Sequence, residues 1–392
     1  MKLFELDFKN HIKDTIAYES LQKLKLPNKK TEEFKKFNLN DIFTTQYKLN
    51  DSTSITLDKY KYLISDKFYT IFLLNSQIKE SHTFVNENIQ YSQNKKKCTT
   101  SNNALYHLGE TFLEYENNIN ISKNLDKPLL LINLCAANNS FIPSSLNFSL
   151  EKNCTADILE LFISENHQEC FLNVNRAFNL SKSAILNYTK QEKFLENDSV
   201  FFNFNSDLEQ KSTLNIVSID SNAKKSLNSW DFILNNENIS LSINAITNIN
   251  KRKSSANIAN IIHNGKNITS IVNVRHILKD YSSAVFDVKS TINKKAINAN
   301  ILQSSQTTLL SDDAQINAQP RLLIHTDELE AKHSATCGAI NEEELYYLTS
   351  RGISKNKALN MIIESLETQT INKIQNTILK DFVLKIKGKN NV

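Results

Sequence analysis

Among the histidines and cysteines of this sequence, His333 and, four residues later, Cys337 have side chains of types that can ligate a metal. A neutral imidazole is a good ligand for iron, and a thiolate is another. The ordinary alternatives are a histidine that only hydrogen-bonds and, for Cys337, burial in the core, which is the expected reading. The other cysteines, Cys98, Cys135, Cys154 and Cys170, are widely spaced and none forms a C-x-x-C pair. Neither a zinc ribbon nor a ferredoxin-type cradle is encoded, so reduced and mostly buried thiols are expected. Gly109, Gly265, Gly338, Gly352 and Gly388 are isolated from one another, which excludes a phosphate-binding loop of the Walker kind. No nucleophile elbow is present. His82, His107, His167 and His325 have no ordered partners in sequence and read as surface or structural residues.

The elements that would position such residues fall into three regions: 1–65, helical; 66–325, β-rich; and 326–392, helical again. In the first, Asp7, Phe8, Ile12, Ile16, Leu21 and Leu24 recur loosely at helical spacing, and Pro27 ends the segment. Thr31 reads as a helix cap, with Glu32 and Glu33 in the first turn. In the second, short runs rich in Ile, Val, Leu and Phe recur at 69–74, 128–134, 156–163, 184–188, 213–218, 239–246 and 269–274. Several alternate apolar and polar residues, the period of strands with one buried face. A single tryptophan argues against propeller blades. Asn264-Gly265 is the one tight-hairpin signal. The many asparagines, which tolerate left-handed turns and stack in ladders, suit the corners of a solenoid, although no strict repeat length is visible. In the third region Asn341 and Glu344 form a capping-box-like start. Gly352 sits where a helix end wants positive φ, and Ser354 caps a second helix carrying Ala358, Leu359, Ile362, Ile363 and Leu366.

Composition limits the partners. Hydrophobic residues make up 40% and charged residues 22%, which places the chain among globular proteins rather than disordered ones. A net charge of +4 from 46 basic and 42 acidic residues argues against a dedicated nucleic-acid binder. Residues 1–10 read as no secretory signal, and the longest nearly apolar run, 128–137, is far short of a membrane span. A soluble, cytoplasmic protein is expected, with no membrane partner.

Three stretches carry a family resemblance. Residues 309–324 (LLSDDAQINAQPRLLI) and 326–338 (TDELEAKHSATCG) resemble the segment in which a Leu-Leu-Ser/Ala-rich-Pro strand runs into an Asp-Asp-Val-x-x-x-His-Gly-Ala-Thr-x-Gly turn. Residues 344–354 (ELYYLTSRGIS) resemble the Phe-Tyr-Leu-x-Ser-Arg-Gly-Ile segment that follows. More weakly, 26–35 (LPNKKTEEFK) resembles a Leu-Pro-x-x-Lys-x-Glu-x-Trp-Lys entry segment, and His263 and Phe286 fall where the core usually has a His and a Phe. This is the SufB/SufD family, subunits of the SUF iron–sulfur cluster assembly scaffold. The resemblance is to the SufD-type subunit: 301–306 lacks the cysteine that SufB-type chains carry before the final core strands.

The resemblance implies a mainly β fold, a right-handed parallel β-helix flanked by α-helical N- and C-terminal domains. It implies a scaffold rather than an enzyme, pairing with a SufB-like paralogue and docking a SufC-type ATPase. Tyr346, Tyr347, Arg351, Gly352 and Ile353 would contribute to that docking; the alternative is a helix hairpin packed on its own domain. A transient iron–sulfur cluster or iron would be handled at the partner interface, with His333 as candidate ligand and Cys337 as a weaker one. A reduced flavin accompanies such complexes, though no flavin site is written in this chain. The family often has a cysteine where Ala331 stands and a glycine where Ser334 stands, so thiol chemistry at this point is in doubt. Competing readings are the SufB-type paralogue, a homodimer joined through terminal strands, and a β-helix enzyme acting on polysaccharide.

Overall fold

Period-two runs that are apolar on one side must close on one another, and here they close as a solenoid. The computed structural model describes residues 11–28, 30–50, 57–95, 101–165 and 169–388. Two long sheets alternate along the chain. The first stacks Tyr115–Ile121, Ser140–Leu150, Phe171–Leu180, Ser199–Leu208, Lys225–Leu234, Ser254–His263, Ser283–Ile292 and Gln315–Ile324 in parallel. The second stacks Leu129–Cys135, Thr155–Ser164, Ile185–Lys193, Thr213–Ser221, Ser240–Ile249, Thr269–Leu278, Ala299–Leu309 and Leu329–Ala339. Consecutive strands belong to opposite sheets, which makes a parallel β-solenoid of about eight turns with helices at both termini.

Aligned residues lie 26 apart (Ser199 with Lys225) to 32 apart (Ser283 with Gln315), because the corners differ in length while the strands stay in register. That variable corner is why no fixed repeat is visible in the sequence. Eight of the fourteen non-glycine residues with positive φ are asparagines, among them Asn153, Asn222, Asn238, Asn267 and Asn298. Asparagine takes this conformation at low cost and bonds its neighbour one turn away. Asn293 donates to Asn264 at 2.6 Å, and Asn264 to Asn235 at 2.7 Å. The Asn264-Gly265 pair is therefore a solenoid corner and not a hairpin, since the strands on either side pair in parallel with others. Gly265 is needed for closeness: a Cβ there would lie 2.0 Å from the Asn236 carbonyl oxygen.

Helices cover the outer faces. α1 (Thr15–Leu24), α2 (Asn40–Thr44) and α3 (Ala104–Thr111) lay Leu21, Ile42, Leu105 and Leu108, with Phe37 from just before α2, over Phe141, Phe171 and Phe201 of the first sheet. Asn173 and Asn175 pin α3 by donating to the Leu105 and Tyr106 carbonyls at 2.8 and 2.9 Å. Asp7 and Phe8 lie outside the described residues. Thr31 does not cap a helix through its side chain: it precedes a single 3-10 turn, Glu32–Phe34, and its Oγ accepts from Asn28 instead.

At the other terminus, α4 (Glu342–Ser350) and α5 (Lys355–Ile371) form a hairpin, followed by α6 (Thr377–Gly388). Asn341 caps α4 by accepting from the Glu343 and Glu344 amides, and Gly352 turns the chain at φ 85°. Ser354 makes no side-chain cap bond. Ile371, Ile374, Leu379 and Val383 pack on Val217, Ile246 and Ile277 of the second sheet.

The two ends of the solenoid differ. The entry end is closed by Ile89–Lys95, antiparallel to Tyr115–Ile121, and by Tyr69–Leu74 beside Leu129–Cys135. The far end is open: Gln315–Ile324 and Leu329–Ala339 each pair on one side only. The strand Leu329–Ala339 corrects the sequence reading, which ended the β region at residue 325 and took this stretch as a turn. It is a full strand, paired with Ala299–Leu309 from end to end. Among the described residues nothing pairs with it on the far side, so its sequence carries no burial pattern from which a strand could be read.

Candidate functional site

The open end carries His333 and Cys337, both on its last strand. Parallel register passes side-chain direction from turn to turn, so residues aligned with lumen-facing neighbours also face the lumen. Gln303 and Thr307 are buried inside the solenoid; His333 is aligned with Gln303, and Cys337 with Thr307. Ala331, His333, Ala335 and Cys337 therefore line one side of the mouth. Opposite them, Ile316, Ala318, Pro320, Leu322 and Ile324 continue the inward rows of Ala284, Phe286, Val288, Ser290 and Ile292. Behind His333, Gln303 donates to Ser290 Oγ at 2.9 Å and to the Arg321 carbonyl at 3.1 Å, which closes the floor.

His333 is exposed, and so is Cys337, which corrects the expectation of a core cysteine. Cys337 has an inward position, and among the described residues no further turn covers it. Cys135, Cys154 and Cys170 are buried as expected, while Cys98 lies outside the described residues. Positions four apart on a strand are separated by about 13 Å, so the two candidates mark separate points on the mouth. Among the described residues, no group of three or more His, Cys, Asp or Glu side chains is placed to hold a metal ion. At most, His333 supplies one ligand of a set completed from elsewhere.

The docking candidates sit apart from this mouth, on the α4–α5 hairpin. Tyr346 and Tyr347 are 74% and 54% exposed, and α4 has no buried residue. Arg351 stacks over the Tyr347 ring at 4.7 Å, and Gly352 and Ile353 form the turn. α5 packs inward on the solenoid, while α4 has no buried residue. Of the remaining histidines, His107 is buried and bonded to the Ser101 carbonyl at 2.9 Å, His325 is exposed, and His82 lies 3.6 Å from Asp58. His167 lies outside the described residues.

Sequence reasoning missed a row of charges inside the solenoid. The Arg176 guanidinium meets the Glu160 carboxylate at 2.7–3.0 Å, and Glu160 also accepts from Asn133 at 2.8 Å and Tyr188 at 2.5 Å. One turn on, the Lys190 ammonium lies between Glu192 and Asp220 and over the Phe202 ring at 3.7 Å. Asp220 accepts from Ser218 and Asn228, and Asn228 donates to Asn257, which reaches His276 at 3.4 Å. The available signal was a charge at an inward position of an otherwise apolar run, as Glu160 is between Leu159 and Leu161.

These groups set the pH range of the fold. Burial pushes the His263 and His276 imidazoles down to about 4. His263 is held neutral, its Nδ1 donating to the Thr291 carbonyl and its Nε2 accepting from Ser270 Oγ at 2.8 Å. Burial pushes Glu192 up to about 8, against the pull of Lys190. The histidine contribution is complete above the ordinary imidazole range and is lost as pH falls toward 4, roughly 3 kcal/mol each. Glu192 acts oppositely: the folded state holds its proton, so stability falls as pH rises from about 4.5 toward 8. Of these three groups, the two histidines outweigh the glutamate between pH 4.5 and 6.5, and above 6.5 the glutamate alone acts. The denaturation midpoint is expected to peak near pH 6.5. Glu192→Gln should flatten the alkaline side, and a flat wild-type profile from pH 5 to 8 would refute this account.

Residues 134–366 match the family described as SUF system FeS cluster assembly, SufBD core domain. The chain belongs to the SufBD family. The matched region spans most of the solenoid, including the open end, and continues into α5. The iron–sulfur cluster assembly protein SufD of Escherichia coli (strain K12) is 22% identical over 94% of this chain and 90% of its own length. SufD of Bacillus subtilis (strain 168) is 36% identical, over 25% of this chain and 22% of that protein. A SufBD family protein of Pyrococcus horikoshii is 34% identical over 29% of this chain and 24% of its own. The chain is thus a member of a family described by its part in SUF iron–sulfur cluster assembly. No helix among the described residues is long and apolar enough to cross a membrane.

Proposed function

We propose that this SufBD protein is the SufD-type half of a paired scaffold. Its open solenoid end abuts the end of a SufB-type partner, and the cluster or iron substrate is handled at the seam with His333 as one ligand. The α4 face docks the ATPase SufC. The observation that carries the reading is the asymmetry of the solenoid: a closed entry end and an open far end whose two edge strands have unpaired backbone groups. Such an edge pairs with another chain unless it is blunted. The mouth between those edges is largely apolar, as a buried seam requires, and the one imidazole in its rim suits iron. Exposed tyrosines and an arginine on α4 have the composition of a docking anchor.

Co-expression with a SufB-type chain and a SufC-type ATPase is expected to yield a complex containing all three. Substituting His333→Ala should leave that complex assembled and lower its iron content and cluster yield several-fold. Normal iron and cluster yield in the variant complex would remove the ligand role, and failure of the three chains to associate would remove the scaffold reading.

A further inference from the structure

A second cluster of polar groups lies away from the mouth, where α5 crosses the outer face of the second sheet. A cavity of about 230 Å³ opens there, lined by Arg275 and by Lys373, just beyond the C-terminus of α5. Neither cation forms an ion pair among the described residues. The Arg275 guanidinium donates only to neutral side-chain oxygens, those of Gln306 and, at 2.9 Å, Gln369. None of the lining residues is acidic. The nearby carboxylate of Glu367 is already engaged by Lys387 and by Asn248 at 3.0 Å.

A half-buried cation with no counter-charge is unfavourable unless something supplies one. Burial does push Arg275 below its ordinary value, and no carboxylate opposes the shift. Around the two cations stand hydroxyl and amide groups from Ser304, Thr370 and Asn273. A planar guanidinium beside an ammonium, with neutral donors between, is the chemistry that holds a tetrahedral oxyanion. The cavity is large enough for one phosphate group with room beside it.

We propose that the cleft between α5 and the solenoid flank binds a phosphate-class oxyanion through Arg275 and Lys373. The anion supplies the missing counter-charge and ties the end of α5 to the sheet. The site is independent of the partner pairing above, since it lies on this chain alone.

The test is thermal unfolding of the full chain titrated with inorganic phosphate at constant ionic strength, with ADP as a second arm and 31P line broadening as a direct check. A saturable rise in Tm is expected. Lys373→Gln, at an exposed position, should weaken binding by about tenfold. Arg275→Gln should abolish it, while Lys279→Gln, on an exposed corner, should leave it unchanged. Tighter binding of ADP than of phosphate would assign the anion to a nucleotide; equal or weaker binding would assign free phosphate. The proposal is overturned if neither ligand gives a saturable response, or if Lys373→Gln binds both as the wild type does.

Discussion

Replacing Arg176 by methionine is expected to destabilise the chain by about 3–5 kcal/mol, the usual loss when one partner of a buried ion pair is removed. The reason lies with the partner left behind. Glu160 is fully buried, and without Arg176 its charge is left with only Asn133 and Tyr188 as donors. The pair itself need not be worth that much, because desolvation offsets most of its attraction. The double variant Arg176→Met with Glu160→Leu should therefore recover most of the loss, since no charge remains to be buried. Chemical denaturation of the wild type, both single variants and the double variant forms the cycle that measures this. A single variant within about 1 kcal/mol of wild type would refute the argument. A double variant as unstable as Arg176→Met would show that shape, not charge, holds the lumen together. In a solenoid each turn contacts only its neighbours, so the lesion should open the turns around residues 160–190 before the far ones.

The second large effect concerns the open end. Placing a carboxylate in the mouth, by Ala335→Asp or Ile324→Asp, is expected to weaken association with a SufB-type partner by more than about 100-fold, because a seam that excludes water leaves the charge unpaired. The isolated chain should barely respond, since Ala335 is exposed and Ile324 is 44% exposed. Surface changes of this kind usually stay within about 0.5 kcal/mol. Affinity and unfolding measured on the same variants separate the two quantities. Wild-type affinity in both variants would move the seam elsewhere on the molecule. If the isolated chain self-associates through this end, the same substitutions should make it monomeric.

Much of this architecture was legible in the chain, and for local reasons. The run 156–163 lies within the strand Thr155–Ser164, and 69–74 matches Tyr69–Leu74, because short apolar runs bounded by polar residues record burial in the sheet. Asparagine at the corners was legible because positive φ is a property of single residues. The α4–α5 hairpin was readable from its cap at Asn341 and its turn at Gly352. Other features depended on partners distant in sequence. Arg176 and Glu160 look like surface charges until the turns stack and bring them to contact inside the lumen. Arg275 and Lys373 become neighbours only when α5 folds back across the second sheet.

His333 and Cys337 show the division most clearly. The sequence by itself offered His333 as a candidate ligand, Cys337 as a weaker one, and the family motif around them. It could not determine that Cys337 is exposed, because burial belongs to the neighbouring turn and among the described residues there is none beyond it. Only the tertiary structure decided that the stretch around them is the last strand of the solenoid, facing an open mouth. Strand signals come from burial, and a strand left bare at the end of a stack has none to record.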